Sequence, residues 1–129
     1  IYGNGKNVRD WIYVEDHCDA ILSTLNHGKS GESYNISANN EIDNITIVRK
    51  ILEIMNKPDD LIEFVEDRPG HDLRYSLDST KISDQLEWKV KSSFEEGLEK
   101  TVQWYLDNPE LLNNISPAIL DSTPWKNTN

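Results

Sequence analysis

Four arginines stand in an otherwise acidic chain, and three of them, Arg9, Arg68 and Arg74, fall in turn-like segments beside glycine, proline, histidine and aromatic residues. A guanidinium is a planar fork that grips phosphate or carboxylate oxygens two at a time. If these segments converge, they form a small positive pocket on a negative protein, suited to a compact anion such as a diphosphate. The alternative is that each arginine pairs with the acid beside it, Asp10, Asp67 or Asp72, as structural ion pairs commonly do, and spacing alone leaves both open. Other candidates accompany them. His71, after Pro69-Gly70 in a turn, could donate to a phosphate or a sugar hydroxyl. Tyr2 could stack on a base, and Asn44 could reach a ligand, although a helix-cap role is enough to account for it.

Other chemistries lack their residues. Gly3-x-Gly5 has neither the third glycine nor the following helix of a dinucleotide cradle, and no Walker loop occurs. His17, His27 and His71 are scattered without metal-ligand spacing. No G-x-S-x-G elbow is present, and the lone Cys18 falls on the apolar stripe of a predicted helix, where a buried, inert thiol is expected. Asp59-Asp60 and Glu95-Glu96 read as solvated helix-start charges rather than as a catalytic carboxylate pair.

Composition narrows the class. With 13 Lys plus Arg against 23 Asp plus Glu, the net charge of −10 argues against a nucleic-acid partner. At 129 residues, 36% apolar and 28% charged, the chain suits one globular domain. No apolar run approaches the roughly 18 residues that a bilayer requires, so no membrane partner is expected. A single cysteine forms no internal disulfide and suits a reducing, cytoplasmic setting. Asn-Ile-Ser/Thr sequons at Asn35, Asn44 and Asn114 carry no weight without a signal peptide. The opening Ile1-Tyr2-Gly3-Asn4-Gly5 has neither initiator Met nor charged leader, and suggests a piece of a longer protein.

The elements that must hold the candidates follow from pattern. Residues 1–9 form a Gly- and Asn-rich turn leading into an extended segment at 11–14. A helix capped by Asp16 or Glu15 carries the stripe Cys18, Ile21, Leu22, Leu25 and stops at Gly28. Residues 32–37 alternate weakly as a short strand. Asn44 looks like the cap of a helix whose face is Ile45, Val48, Ile51, Leu52 and Met55, ending before Lys57-Pro58. A strand is predicted at 61–65, a turn at 67–71, extension again at 74–77, and a short helix at 79–86. Ser93-x-x-Glu96 is a capping box for a last helix with the inner face Phe94, Gly97, Leu98, Thr101, Val102 and Tyr105, stopped by Asn108-Pro109. The tail at 110–129 wraps the surface or frays. Helices outnumber strands and alternate with them, which gives a mixed α/β or α+β class without a clean βαβ series.

Particular strings then say more than composition. Tyr2-Gly3-Asn4-Gly5-Lys6-Asn7-Val8-Arg9-Asp10-Trp11-Ile12-Tyr13-Val14-Glu15-Asp16-His17, Tyr34-Asn35-Ile36 and Asp67-Arg68-Pro69-Gly70-His71-Asp72-Leu73-Arg74-Tyr75 together resemble the C-terminal part of the dTDP-glucose 4,6-dehydratases. The likeness continues through Leu86-Glu87-Trp88 and the helix from Phe94 to Leu106, reaching about Asn108. The Arg-Asp-Trp-x-Tyr-Val-x-Asp string occurs across extended short-chain dehydrogenases, whereas Asp-Arg-Pro-Gly-His-Asp-x-Arg-Tyr is far more specific to the nucleotide-sugar 4,6-dehydratases.

The resemblance implies a two-part enzyme, with an N-terminal Rossmann part holding NAD and the catalytic groups, and a smaller C-terminal part gripping the nucleotide diphosphate. This chain resembles the second part alone, with residues 1–108 as the nucleotide-sugar-binding portion and 109–129 as a tail. It implies substrate-contact positions at Tyr2, Arg9, Asn44, Asp67, Arg68, Pro69, Gly70 and His71, with Arg9 and Arg68 as the diphosphate partners. No catalytic, metal-binding or cofactor-binding residue is expected here. The whole enzyme would take hydride from C4 of the glucose onto NAD, eliminate water across C5 and C6, and return hydride at C6. It would be a homodimer, and this piece alone, inactive, would expose apolar surface along residues 16–26 and 32–36 and self-associate. One departure is that Ser37-Ala38 stands where the family usually has Gly-Gly, which alters backbone approach there. The rival readings are another nucleotide-sugar epimerase or decarboxylase with the same grip, and a non-catalytic nucleotide-binding module.

Overall fold

The computed structural model describes residues 1–113 and 115–116. A three-stranded sheet of order β2-β1-β3 holds the seam where the candidate residues meet. β1 (Val8–Asp10) pairs antiparallel with β2 (Glu41–Asp43), Arg9 opposite Ile42, and parallel with β3 (Arg74–Tyr75), Arg9 opposite Tyr75. The extended segment predicted at 11–14 thus begins three residues early. Trp11 leaves the ladder but still donates its amide to Asn40 O and its indole N–H to Ile42 O.

Helices cover the sheet in two groups. α1 (Val14–His27) packs with α3 (Thr80–Leu86) around Ala20, Ile82 and Trp88, which are buried together with half-buried Ile12, Tyr34, Ile36 and Leu86. α2 (Asn44–Ile54) packs on α4 (Phe94–Asp107), burying Ile47 and Val102. The capping box is formed as expected: Ser93 Oγ accepts from Glu96 N, and the Glu96 carboxylate accepts from Ser93 N. The hydrogen bonds that this carboxylate accepts, from Ser93 N and then from Ser93 Oγ, hold the Glu96 carboxyl below the usual carboxylate range. A last turn, α5, spans Glu110–Asn113. Most of the predicted tail, including the sequon at Asn114, lies outside the described residues. Among those described, no helix is long and apolar enough to cross a membrane.

Several expectations fail for local reasons. Asp16 does not cap α1. The cap position is Tyr13, with no side-chain bond, and Asp16 lies inside the helix at 4% exposure, accepting from Lys91 N at 3.0 Å and Ser92 N at 3.1 Å. Its carboxylate satisfies two backbone donors of the part-buried connection that leads into α4. The stripe on α1 faces outward: Ile21, Leu22 and Cys18 are exposed, and Leu25 is 77% exposed, because the helix turns small Ala20 toward α3. An exposed apolar face at residues 16–26 is what the resemblance implies; the expectation that fails is the buried thiol at Cys18. Residues 32–37 form no ladder among the described residues. Within 61–65, a 3₁₀ turn takes Asp59–Leu61 and only Val65 pairs, with Tyr2.

Helix α2 is capped by Asp43, whose carboxylate accepts from Thr46 N at 2.9 Å, so Asn44 is its first helical residue and not its cap. Gly97 is where α4 meets the start of α1: a methyl group there would lie 2.8 Å from Tyr13 Cβ, an atom fixed to the backbone. Gly97→Val should therefore cost about 3 kcal/mol, the upper end of the overpacking range, read as a lower urea midpoint.

Candidate ligand-binding site

The site is built where two segments run side by side. Residues 1–10 lie along residues 62–75: Val65 N donates to Ile1 O, Gly3 N to Val65 O and Val8 N to Leu73 O. Between these pairings both segments bulge, and the bulges are tied by side chains. Buried Asn7 donates its amide group to Asp72 O at 3.1 Å, and its carbonyl accepts from Asn44 N at 3.1 Å. Gly5, buried at φ +70°, passes close under α2 and accepts from Ile45 N. Its positive φ and the 3.0 Å approach of Ile45 Cβ together require glycine.

The turn at 67–71 organises itself around one carboxylate. Asp67 Oδ1 accepts from Arg68 N at 2.9 Å and meets His71 Nδ1 at 2.7 Å, while Gly3 leaves room for Oδ2. The hydrogen bond from His71, ahead of that from Arg68 N, holds the Asp67 carboxyl below its ordinary range. The Tyr2 ring stands edge-on to His71 with centroids 6.4 Å apart. Tyr2, Asp67 and His71 are thus one cluster, and Pro69 and Gly70 form the exposed tip of the same turn.

The arginines divide. Arg74 leaves the pocket: it forms a two-pronged pair with Glu41 across the sheet, with both bonds at 2.6 Å, which keeps the Glu41 carboxyl low. Structural pairing was the alternative weighed for it, but the partner is Glu41 from β2 and not neighbouring Asp72. Arg9 reaches over the seam, donating to Val8 O at 2.7 Å and Asp72 O at 3.0 Å, and it lines a cavity of about 120 Å³ with Asp10, Ser37 and Tyr75. Its contacts are carbonyls, so its positive charge is not neutralised by them. Arg9 is thus anchored across the seam, whereas Arg68, on the exposed turn, has its backbone N–H held by Asp67 and no side-chain hydrogen bond or ion pair among the described residues.

Sequence reasoning missed Asn7 and Gly3, which shape this seam, and weighed Asp10 only as an ion-pair partner for the neighbouring arginine. Asp10 accepts from Ser37 Oγ, Asn40 N and Asn39 N, and Asn39 adopts φ +58°. The loop at 37–40 is thus held by a buried serine hydroxyl and by an asparagine in the left-handed region, which asparagine tolerates. The signal available beforehand was Asn7 itself, a polar residue between a glycine turn and a strand.

The model of the family described as GDP-mannose 4,6 dehydratase matches residues 1–101. The chain is similar to a dTDP-glucose 4,6-dehydratase of Escherichia coli, 46% identical over 121 residues that cover 85% of this chain and 33% of that protein. Among solved structures, the dTDP-glucose 4,6-dehydratase of Bacillus anthracis in complex with NAD superposes with a TM-score of 0.80 at 46% identity, covering 85% of this chain and 35% of that one. The enzyme of the same name from Streptomyces venezuelae, with NAD and TYD bound, gives 0.82 at 40% identity over 85% of this chain and 34% of that one. The chain spans about a third of the length of the curated relatives it matches.

Proposed function

This chain belongs to the GDP-mannose 4,6-dehydratase family, and from that membership we propose that it is the nucleotide-sugar grip of an NAD-dependent dTDP-glucose 4,6-dehydratase. The observation that carries the reading is the pair Arg9 and Arg68 on one seam, with the Arg68 guanidinium unengaged by the described residues. A diphosphate offers paired oxygens to both forks. Tyr2 and His71 stand at the same seam to meet the nucleoside, and Asn44 is tied to it through Asn7.

NAD supplies a hydride acceptor to such enzymes, but the described residues do not fit it. Gly3 is closed by Asp67, and Gly5 by Ile1 and Ile45, so neither lies open to a pyrophosphate. The work of this chain is to bind and orient. Affinity for the remote nucleotide holds the sugar in one place, a contribution of proximity that frees other groups to do the chemistry. The outward apolar face of α1, with Ile21, Leu22 and Leu25, is the surface that a cofactor-holding part would cover. The lone Cys18 and a nucleotide substrate suit the cytoplasm.

The test is a calorimetric titration of the chain with dTDP, and with UDP as competitor. Saturable binding that prefers dTDP is expected; no saturable binding by the folded protein overturns the reading.

A further inference from the structure

His71 has chemistry left over. Its side chain is only 6% exposed, yet among the described residues the ring makes one hydrogen bond, from Nδ1 to Asp67 Oδ1 at 2.7 Å. Nε2 has no such partner and is not sealed, since Trp88 Nε1 is the one side-chain atom both sealed and unpartnered among the described residues. An ionised carboxylate only accepts, so the proton on the Asp67 side of the ring sits on Nδ1. Nε2 is then a lone-pair acceptor in the neutral ring and a donor once the ring takes a second proton.

Asp67 is itself fixed. Oδ1 also accepts from Arg68 N, and a methyl group at Gly3, where φ is +58°, would come within 2.8 Å of Oδ2. The titratable groups set directly against the ring are Tyr2, edge-on at 6.4 Å, and Asp67; Arg68 and Asp72 belong to the same turn, and Arg9 reaches that turn at Asp72 O. A diphosphate seated at the seam places negative charge on the Nε2 side of the ring, while Asp67 offers the imidazolium an ion-pair partner already in contact.

We propose that Asp67 is a positioning residue that locks His71 with Nδ1 toward the protein and Nε2 toward the ligand, so that binding of a nucleotide diphosphate takes up one proton from solvent at Nε2. The inference rests on the nucleotide-sugar reading above and adds to it a proton linkage.

The 129-residue chain is titrated with dTDP-glucose, whose diphosphate diester keeps its charge from about pH 6 to about pH 8, and the ring tautomer is read from nitrogen-15 spectra. Expected are an Nδ1-protonated ring and affinity about fivefold tighter at the lower pH, within the tenfold per pH unit that one linked proton allows. His71→Gln should flatten the dependence. Asp67→Asn should flatten it and release the tautomer, and Gly3→Ala, which displaces Asp67 without altering any titratable group, should do the same. An Nε2-protonated ring, a flat wild-type profile, or a slope that survives in His71→Gln overturns this inference and leaves the nucleotide-sugar grip standing. Absence of binding by folded wild-type protein at both pH values overturns the grip, and the linkage with it.

Discussion

Arg68→Ala should weaken dTDP binding by about 10- to 100-fold while leaving the unfolding midpoint where it was. The magnitude is that of losing charge-assisted hydrogen bonds to an anion, about 1.5–3 kcal/mol. The unchanged midpoint follows from the absence of any hydrogen bond or ion pair from its guanidinium among the described residues, so folding has nothing to lose there. Two other arginines calibrate the result. Arg9→Ala should lower both affinity and stability, since that side chain also holds Asp72 O onto the first strand. Arg74→Ala should leave affinity intact, because its fork is fully engaged with Glu41 at the edge of the sheet. Equal affinities for wild type and Arg68→Ala would remove Arg68 from the grip and with it the main support for the proposed function. A drop in stability on losing Arg68 would mean that it has a structural partner.

An effect on folding as large as that of Gly97→Val is expected at Asp16. Asp16→Ala strips the acceptor from Lys91 N and Ser92 N, two backbone donors in a part-buried connection. Each orphaned donor costs about 1–3 kcal/mol, so a total of about 3 kcal/mol is expected from a domain whose whole stability is typically about 5–15 kcal/mol. Asp16→Asn keeps one acceptor oxygen and brings in a donor that faces other donors, so it should fall between alanine and wild type. Urea unfolding of the three proteins reads this order directly. Wild-type stability in Asp16→Ala would show that water replaces the carboxylate and that the clamp contributes nothing. The same residue shows how far pattern reading goes. An acid near the start of a helix is expected to serve that helix, yet Asp16 serves residues 75 and 76 positions away.

What the sequence determined by itself was whatever rests on neighbours in the chain. The capping box at Ser93 and Glu96, the stop at Asn108-Pro109, the short helix now seen at Thr80–Leu86 and the turn at 67–71 all depend on contacts a few residues apart, and they formed as read. The Asp-Arg-Pro-Gly-His string also pointed to the family without any geometry. Tertiary structure alone decided the rest, because a carboxylate or guanidinium takes whichever partner folding brings near. Arg68 and Arg74 look alike in sequence, and only the placement of Glu41 beside β1 assigns Arg74 to the sheet, while the Arg68 guanidinium has no hydrogen bond or ion pair among the described residues. α1 is amphipathic by its spacing, but which face is covered depends on what packs against it, and here the small face meets α3 while the large apolar face stays open. Gly3 and Asn7 carry no chemistry in the sequence. They acquire a role because two segments more than sixty residues apart run in parallel, so that a missing methyl group makes room for Asp67 and one amide group ties β1 to the turn.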